Sequence, residues 1–131
     1  MKAEPGEPLE QGGQRPRRVL VVDDHPGFRR CVKTLLMSEG FDVVGEAEDG
    51  ESALVLAAEL TPDLVLLDIQ LPGISGFDVV SRLHERDPEL EIVLVSSRDR
   101  SAYGSAIGTS GARGFITKAD LSHGALARVL G

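Results

Sequence analysis

The stretch Asp63-Leu64-Val65-Leu66-Leu67-Asp68-Ile69-Gln70-Leu71-Pro72-Gly73 decides how the rest of the chain is read. Four consecutive apolar residues run into an acid, and a Leu-Pro-Gly turn follows. A run that is apolar throughout is the pattern of a strand buried on both faces. Three more runs share the form. Val19-Leu20-Val21-Val22 ends on Asp23-Asp24, Ile92-Val93-Leu94-Val95 on Ser96-Ser97, and Gly114-Phe115-Ile116-Thr117 on Lys118. The strand-like runs thus deliver carboxylates, a hydroxyl and an ammonium at their C-terminal ends. In an open parallel sheet those ends lie along one edge, where ligands bind.

Between the runs the spacing is helical. Residues 26–39 place Phe28, Val32, Leu35 and Leu36 on one face, with Pro26 suited to a first turn and Gly40 to a stop. Residues 41–47 alternate only in part, as at a sheet edge. Residues 50–60 are rich in Ala and Leu, and residues 75–86 turn Phe77, Val80 and Leu83 inward. Residues 99–108 predict the weakest helix, because an interior glycine such as Gly104 costs about 1 kcal/mol relative to alanine. A strand over 112–117 and a helix over 121–130 complete the alternation. Five strands alternating with five helices predict an α/β fold, a doubly wound parallel sheet with helices on both faces. The flavodoxin-like order 2-1-3-4-5 is the common solution for five such units.

Composition narrows the function. The 131 residues suit one domain, and 41% hydrophobic with 27% charged residues is ordinary for a globular chain. No apolar stretch approaches the roughly 20 residues that span a bilayer, and no signal-peptide core is present, so a cytoplasmic location is expected. A net charge of −7 argues against direct binding of nucleic acid. The basic Arg15-Pro16-Arg17-Arg18 cluster reads as a solvated entry to the domain rather than a DNA-binding arm. Residues 1–16, rich in Pro, Gly, Glu and Gln, are expected to form a disordered tail, leaving 17–131 as the folded domain. Cys31, the single cysteine, reads as a small buried or half-buried residue of the first helix.

The strand-end residues form a coherent inventory. Asp23, Asp24 and Asp68 would lie within several ångströms, and two unit charges 5 Å apart repel by about 3 kcal/mol at an effective dielectric near 20. A raised pKa relieves that repulsion, and so does a divalent cation. Oxygen-only ligands favour Mg2+ or a similar hard ion. Lys118 adds an ammonium that pairs with Asp68 or holds a phosphate, and Ser96 adds a hydroxyl. Singly, each has a plainer explanation: Asp24 or His25 as a helix cap, Ser96 as a turn residue, Lys118 as a surface lysine. Together they match phosphoryl transfer to a carboxylate, with Asp68 as nucleophile.

The same residues carry a family resemblance. Val21-Val22-Asp23-Asp24-His25-Pro26, Leu66-Leu67-Asp68-Ile69-Gln70-Leu71-Pro72-Gly73, Val95-Ser96-Ser97 and Phe115-Ile116-Thr117-Lys118 resemble, in order, the motifs of response-regulator receiver domains of two-component systems. Asp68 lies 44 residues after Asp24, and Lys118 lies 22 after Ser96. The resemblance covers about residues 17–130. It implies that Asp68 accepts a phosphoryl group from a sensor histidine kinase or phosphotransfer protein. It further implies that Asp24, Asp68, the Gln70 backbone carbonyl and, mainly through water, Asp23 hold Mg2+. Ser96 and Lys118 would bind phosphoryl oxygens, and Phe115 would be the switch aromatic. Such a domain is a phosphoacceptor rather than an enzyme, and controls the binding of a downstream protein; a homodimer is a family-level expectation. A phosphatase of the aspartyl-phosphate kind is disfavoured because Gln70 stands where its second acid would be. A cobalamin-binding module is disfavoured because Phe28 stands where its glycine would be. Lys118 is followed by Ala119, not the Pro common in receivers, so a trans peptide bond is expected there. The Lys118-Ala119-Asp120-Leu121 ending is similar to receivers that precede a LuxR-type output domain. The sequence ends at Gly131, so a stand-alone receiver is the expectation.

Overall fold

The computed structural model describes residues 15–131. The tail expected over residues 1–16 therefore falls outside the described residues, apart from Arg15 and Pro16. Strands β1 (Arg18–Val22), β2 (Asp42–Ala47), β3 (Leu64–Asp68), β4 (Glu91–Ser96) and β5 (Gly114–Thr117) alternate with helices α1 (Pro26–Ser38), α2 (Gly50–Leu60), α3 (Gly76–Arg86), α4 (Ala106–Thr109) and α5 (Ala125–Leu130). The five strands form one sheet in the order β2-β1-β3-β4-β5, and each neighbouring pair is parallel. This is the flavodoxin-like α/β architecture that the alternation of elements predicts.

The all-apolar strands feed two cores at once, because successive side chains point to opposite faces. Leu20, Val22, Val65, Leu67, Ile92 and Leu94 pack with Ala53, Val79, Val80, Leu83 and Ile107, which come from α2, α3 and α4. Val19, Val21, Leu64, Leu66, Val93 and Val95 face the other way, onto Val32 and Leu36 of α1 and Ala125, Leu126 and Leu130 of α5. Each fully buried Leu or Val side chain contributes about 1.5–3 kcal/mol. β2 lies at the edge and buries only Ala47, which explains its partial alternation.

Several details differ from expectation. Cys31 is exposed, not buried or half-buried. The buried positions of α1 are Val32 and Leu36, and Cys31 lies off that stripe. Val79 joins Val80 and Leu83 among the buried residues of α3, while Phe77 is only half-buried. The helix expected over 99–108 divides at Gly104, whose φ of +58° is foreign to a right-handed helix. A 3-10 turn, Arg100–Tyr103, precedes it, and the four-residue α4 follows. The last helix starts at Ala125, after Gly124 at φ +81°, rather than at 121. Of the basic cluster, Arg15 and Arg17 are exposed and Arg18 half-buried, and all three are partnered. Arg15 forks onto both oxygens of Asp63, Arg17 pairs with Glu91, and Arg18 donates to the Thr61 carbonyl.

Candidate functional site

Strand register builds the site. Val22 pairs with Leu67, so the next residues, Asp23 and Asp68, stand side by side. Asp68 pairs with Val95, which puts Ser96 one step beyond, and Ser96 pairs with Thr117, which puts Lys118 one step further. Asp23, Asp68 and Ser96 are all buried, the only buried polar residues among those described. Each accepts a hydrogen bond from the amide two residues on: His25 N–H to Asp23 Oδ1 at 2.8 Å, Gln70 N–H to Asp68 Oδ1 at 3.0 Å, and Arg98 N–H to Ser96 Oγ at 3.0 Å. The three loops thereby orient the side chains that end their own strands.

The loop after β3 is held close. Gly76 N–H donates to the Ile69 carbonyl at 2.9 Å. A Cβ on Gly76 would lie 2.6 Å from Ile69 Cα and 2.7 Å from the Asp68 carbonyl oxygen, so only glycine lets α3 approach the back of Asp68 this closely.

Lys118 reaches into the acids. Its Nζ lies 2.7 Å from Asp23 Oδ2 and 3.4 Å from Asp68 Oδ2. The contact with Asp68 is an aligned hydrogen bond. The contact with Asp23 is an ion pair off the hydrogen-bond axis, which leaves the buried Asp23 Oδ2 without a hydrogen-bond partner. Burial pushes the Asp68 carboxyl above the usual carboxylate range; the Gln70 amide and Lys118 oppose the rise, Asp23 adds to it, and the net effect is upward. Burial alone draws the Lys118 ammonium down, but its contacts with Asp23 and Asp68 outweigh it and hold the pKa above the usual lysine range.

Side-chain ligand atoms of Asp23, Asp24, His25 and Asp68 all lie within 4.8 Å of one another. Three carboxylates against one ammonium leave two negative charges in excess. With oxygen donors dominant and that charge in excess, the residues fit a hard divalent cation.

Ser96 does act as a turn residue through the Arg98 amide, whereas Lys118 is not a surface lysine, its side chain being only 17% exposed. His25 occupies the N-cap of α1 by its backbone, but neither its side chain nor that of Asp24 caps the helix. Instead His25 Nδ1 sits 3.2 Å from Asp23 Oδ1 and 3.1 Å from Asp24 Oδ1. Phe115 is half-buried on β5, with its ring 6.3 Å from that of Tyr103. No peptide bond among the described residues is cis, as expected after Lys118. Phe28 and Arg29 carry no signal of this site in the one-dimensional pattern, whereas the family resemblance places Tyr103 near it. The Phe28 ring lies 4.4 Å beneath Lys118 Nζ, a cation–π contact. Arg29 donates to the Asp23 carbonyl and pairs with Glu46. Tyr103 is hydrogen-bonded to Ser96.

A family model described as the response regulator receiver domain matches residues 19–127. The chain belongs to the response regulator receiver family. The transcription regulator BvgA of Bordetella pertussis is 37% identical over 106 residues, covering 81% of this chain and 51% of BvgA. The response regulator GacA of Pseudomonas aeruginosa is 39% identical over 102 residues, covering 77% of this chain and 48% of GacA. The receiver thus spans about half the length of the curated relatives it matches. Among solved structures, the signal receiver domain of NarL from Mycobacterium tuberculosis superposes with a TM-score of 0.76 at 34% identity, covering 90% of this chain and 99% of that one. TrrA of Thermotoga maritima, solved in complex with Mg2+ and a beryllium fluoride, gives 0.77 at 33% identity, covering 87% and 96%. The acidic pocket of Asp23, Asp24 and Asp68 is the receiver's phospho-accepting site, of the kind typical of a receiver Mg2+ site. The domain is a phosphoacceptor of two-component signalling rather than a classical enzyme, and receivers are phosphorylated by histidine kinases. Among the described residues no helix is long and apolar enough to cross a membrane.

Proposed function

We propose that Asp68 is the phosphoacceptor and that its phosphorylation switches a protein-binding surface. The observation that carries this reading is the placement of Asp68: buried, at the end of a central strand, with Asp23 beside it and Lys118 at 3.4 Å. A carboxylate attacks only when ionised, and the adjacent ammonium favours that form against the opposing effect of burial. An oxygen of Asp68 forms a bond to phosphorus as the phosphorus–nitrogen bond of a phosphohistidine breaks. The donor is a sensor histidine kinase or a phosphotransfer protein.

Asp24, Asp68, the Gln70 carbonyl and, mainly through water, Asp23 would hold Mg2+, which when bound offsets charge on the transferring oxygens. Lys118 binds one phosphoryl oxygen and Ser96 donates to another. Phe115 then turns inward, and the surface made by α4, β5 and α5 changes for a downstream protein target. The relatives' length and likeness to transcription regulators support a role beside an output module, while the net charge of −7 supports no direct contact with nucleic acid by this segment. We further assign residues 17–131 to the receiver, a cytoplasmic location, and a homodimer as the assembly to test for.

Incubation with acetyl phosphate and Mg2+, followed by intact mass, tests the assignment. The wild-type chain gains one phosphoryl group and the Asp68→Asn chain gains none. A gain that survives the substitution refutes Asp68 as the acceptor.

A further inference from the structure

We propose that Tyr103 is a positioning residue for Ser96: its phenol holds the Ser96 hydroxyl away from Asp68 in the resting domain and releases it when Asp68 carries a phosphoryl group. The inference rests on the reading of Asp68 as phosphoacceptor and Ser96 as a ligand of its phosphoryl oxygens.

Ser96 is fully buried, and its Oγ lies 2.5 Å from the Tyr103 hydroxyl. Its other partner is the Arg98 amide, and its hydrogen bonds among the described residues do not include Asp68. A serine hydroxyl has one proton and two lone pairs, so the phenol and the amide occupy most of what it offers. Phe115, the aromatic of β5, has no hydroxyl and takes no part in this bond. It meets Tyr103 by its ring instead. The Tyr103 ring stands edge-on between Phe77, at 5.9 Å, and Phe115, at 6.3 Å.

The backbone beneath Tyr103 holds it weakly. It closes a four-residue 3-10 turn whose other members are exposed, and Gly104 follows at φ +58°. Ser96 and the two rings are therefore the phenol's main anchors. A phosphoryl oxygen only accepts hydrogen bonds, so Ser96 must aim its proton at it, and moving Oγ toward Asp68 breaks the phenol bond whichever of the two hydroxyls donates. Once Ser96 turns to it, the phenol is left without its polar partner in a half-buried site, which disfavours that position. Tyr103 then turns to water and vacates the space beside Phe115. Its departure gives Phe115 room to move inward.

Tyr103 is the single tyrosine of a chain without tryptophan, so emission excited beyond the phenylalanine band reports on this residue alone. The full chain is titrated with beryllofluoride and Mg2+ while fluorine NMR records bound fluoride and tyrosine emission records acrylamide quenching. Quenching rises, saturating at the same beryllofluoride concentration as the fluorine signal. Removing the phenol destabilises the resting arrangement by one hydrogen bond, so Tyr103→Phe binds beryllofluoride about fivefold more tightly. A role in packing alone leaves that variant equal to wild type. Bound fluoride with unchanged tyrosine quenching overturns the inference, as does a Tyr103→Phe affinity equal to or weaker than wild type. Should the variant fail to fold, the wild-type quenching decides by itself. An absence of bound fluoride in the wild type instead overturns the phosphoacceptor reading, and this inference with it.

Discussion

β1 through α3 and β4 through α5 support the two halves of the site in different ways. The first half carries Asp23, Asp24 and Asp68 at the ends of β1 and β3, flanked by helices of 13, 11 and 11 residues from which Val32, Leu36, Ala53, Val79, Val80 and Leu83 are buried. The second carries Ser96 and Lys118 beside α4, of four residues, which buries only Ile107, and α5, of six. Two of the first half's three helices have side-chain caps: Asp49 accepts the Ser52 amide and Ser75 the Asp78 amide, while α1 has none. Neither α4 nor α5 has a side-chain cap. The acids that hold charge thus stand on a stiff frame. The residues proposed to bind a phosphoryl group, Ser96 and Lys118, stand beside segments that rearrange at low cost, the usual source of switching elements.

Matched core truncations break or sharpen this contrast most directly. Leu66→Ala, at a fully buried site between α1 and α5, costs about 4 kcal/mol, and Ile107→Ala about 2 kcal/mol, because short α4 collapses onto the space more readily. Urea unfolding measures both, and equal losses would remove the contrast. Gly76→Ala comes next. Its methyl meets the backbone of Asp68 and Ile69, so stability falls by about 3 kcal/mol and bound Mg2+ weakens as Asp68 shifts. A variant that keeps wild-type stability and Mg2+ affinity would mean the frame yields.

The smallest effect is a pH dependence. The folded Asp68 pKa is raised, so its contribution to the metal-free domain is fully present below the ordinary unfolded value of about 3.9 and is lost as pH rises through the folded value. The stability of Asp68→Asn relative to wild type, measured by urea midpoints with a chelator present, therefore increases from acid to neutral pH. A difference that is constant or reversed would contradict the direction of the shift.

The strands and the order of the site residues were legible because both depend on local pattern. Apolar runs such as Leu64 to Leu67 have no alternative but burial on both faces, and the polar residue that ends each run marks the sheet edge. α4 was misread because a glycine's effect depends on its backbone angle, and Gly104 takes a positive φ that divides the segment. Cys31 was misread because adjacent apolar residues sit 100° apart on a helix, and the stripe passes through Val32 and Leu36. Gly76 had no reading beyond its place in the helix over 75–86, since its need to be glycine comes from how closely the loop after β3 folds back onto it.

By itself the sequence determined the alternation of elements and the doubly wound class, because these follow from periodicity along the chain, and it put Asp23, Asp24, Asp68, Ser96 and Lys118 at the ends of strand-like runs. Only the tertiary structure decided that Lys118 bridges Asp23 and Asp68, that Phe28 lies under its ammonium, and that Tyr103 holds Ser96. Those contacts join residues from different loops at one sheet edge. Their geometry depends on strand register and on how the loops pack across it, information that no spacing within the chain contains.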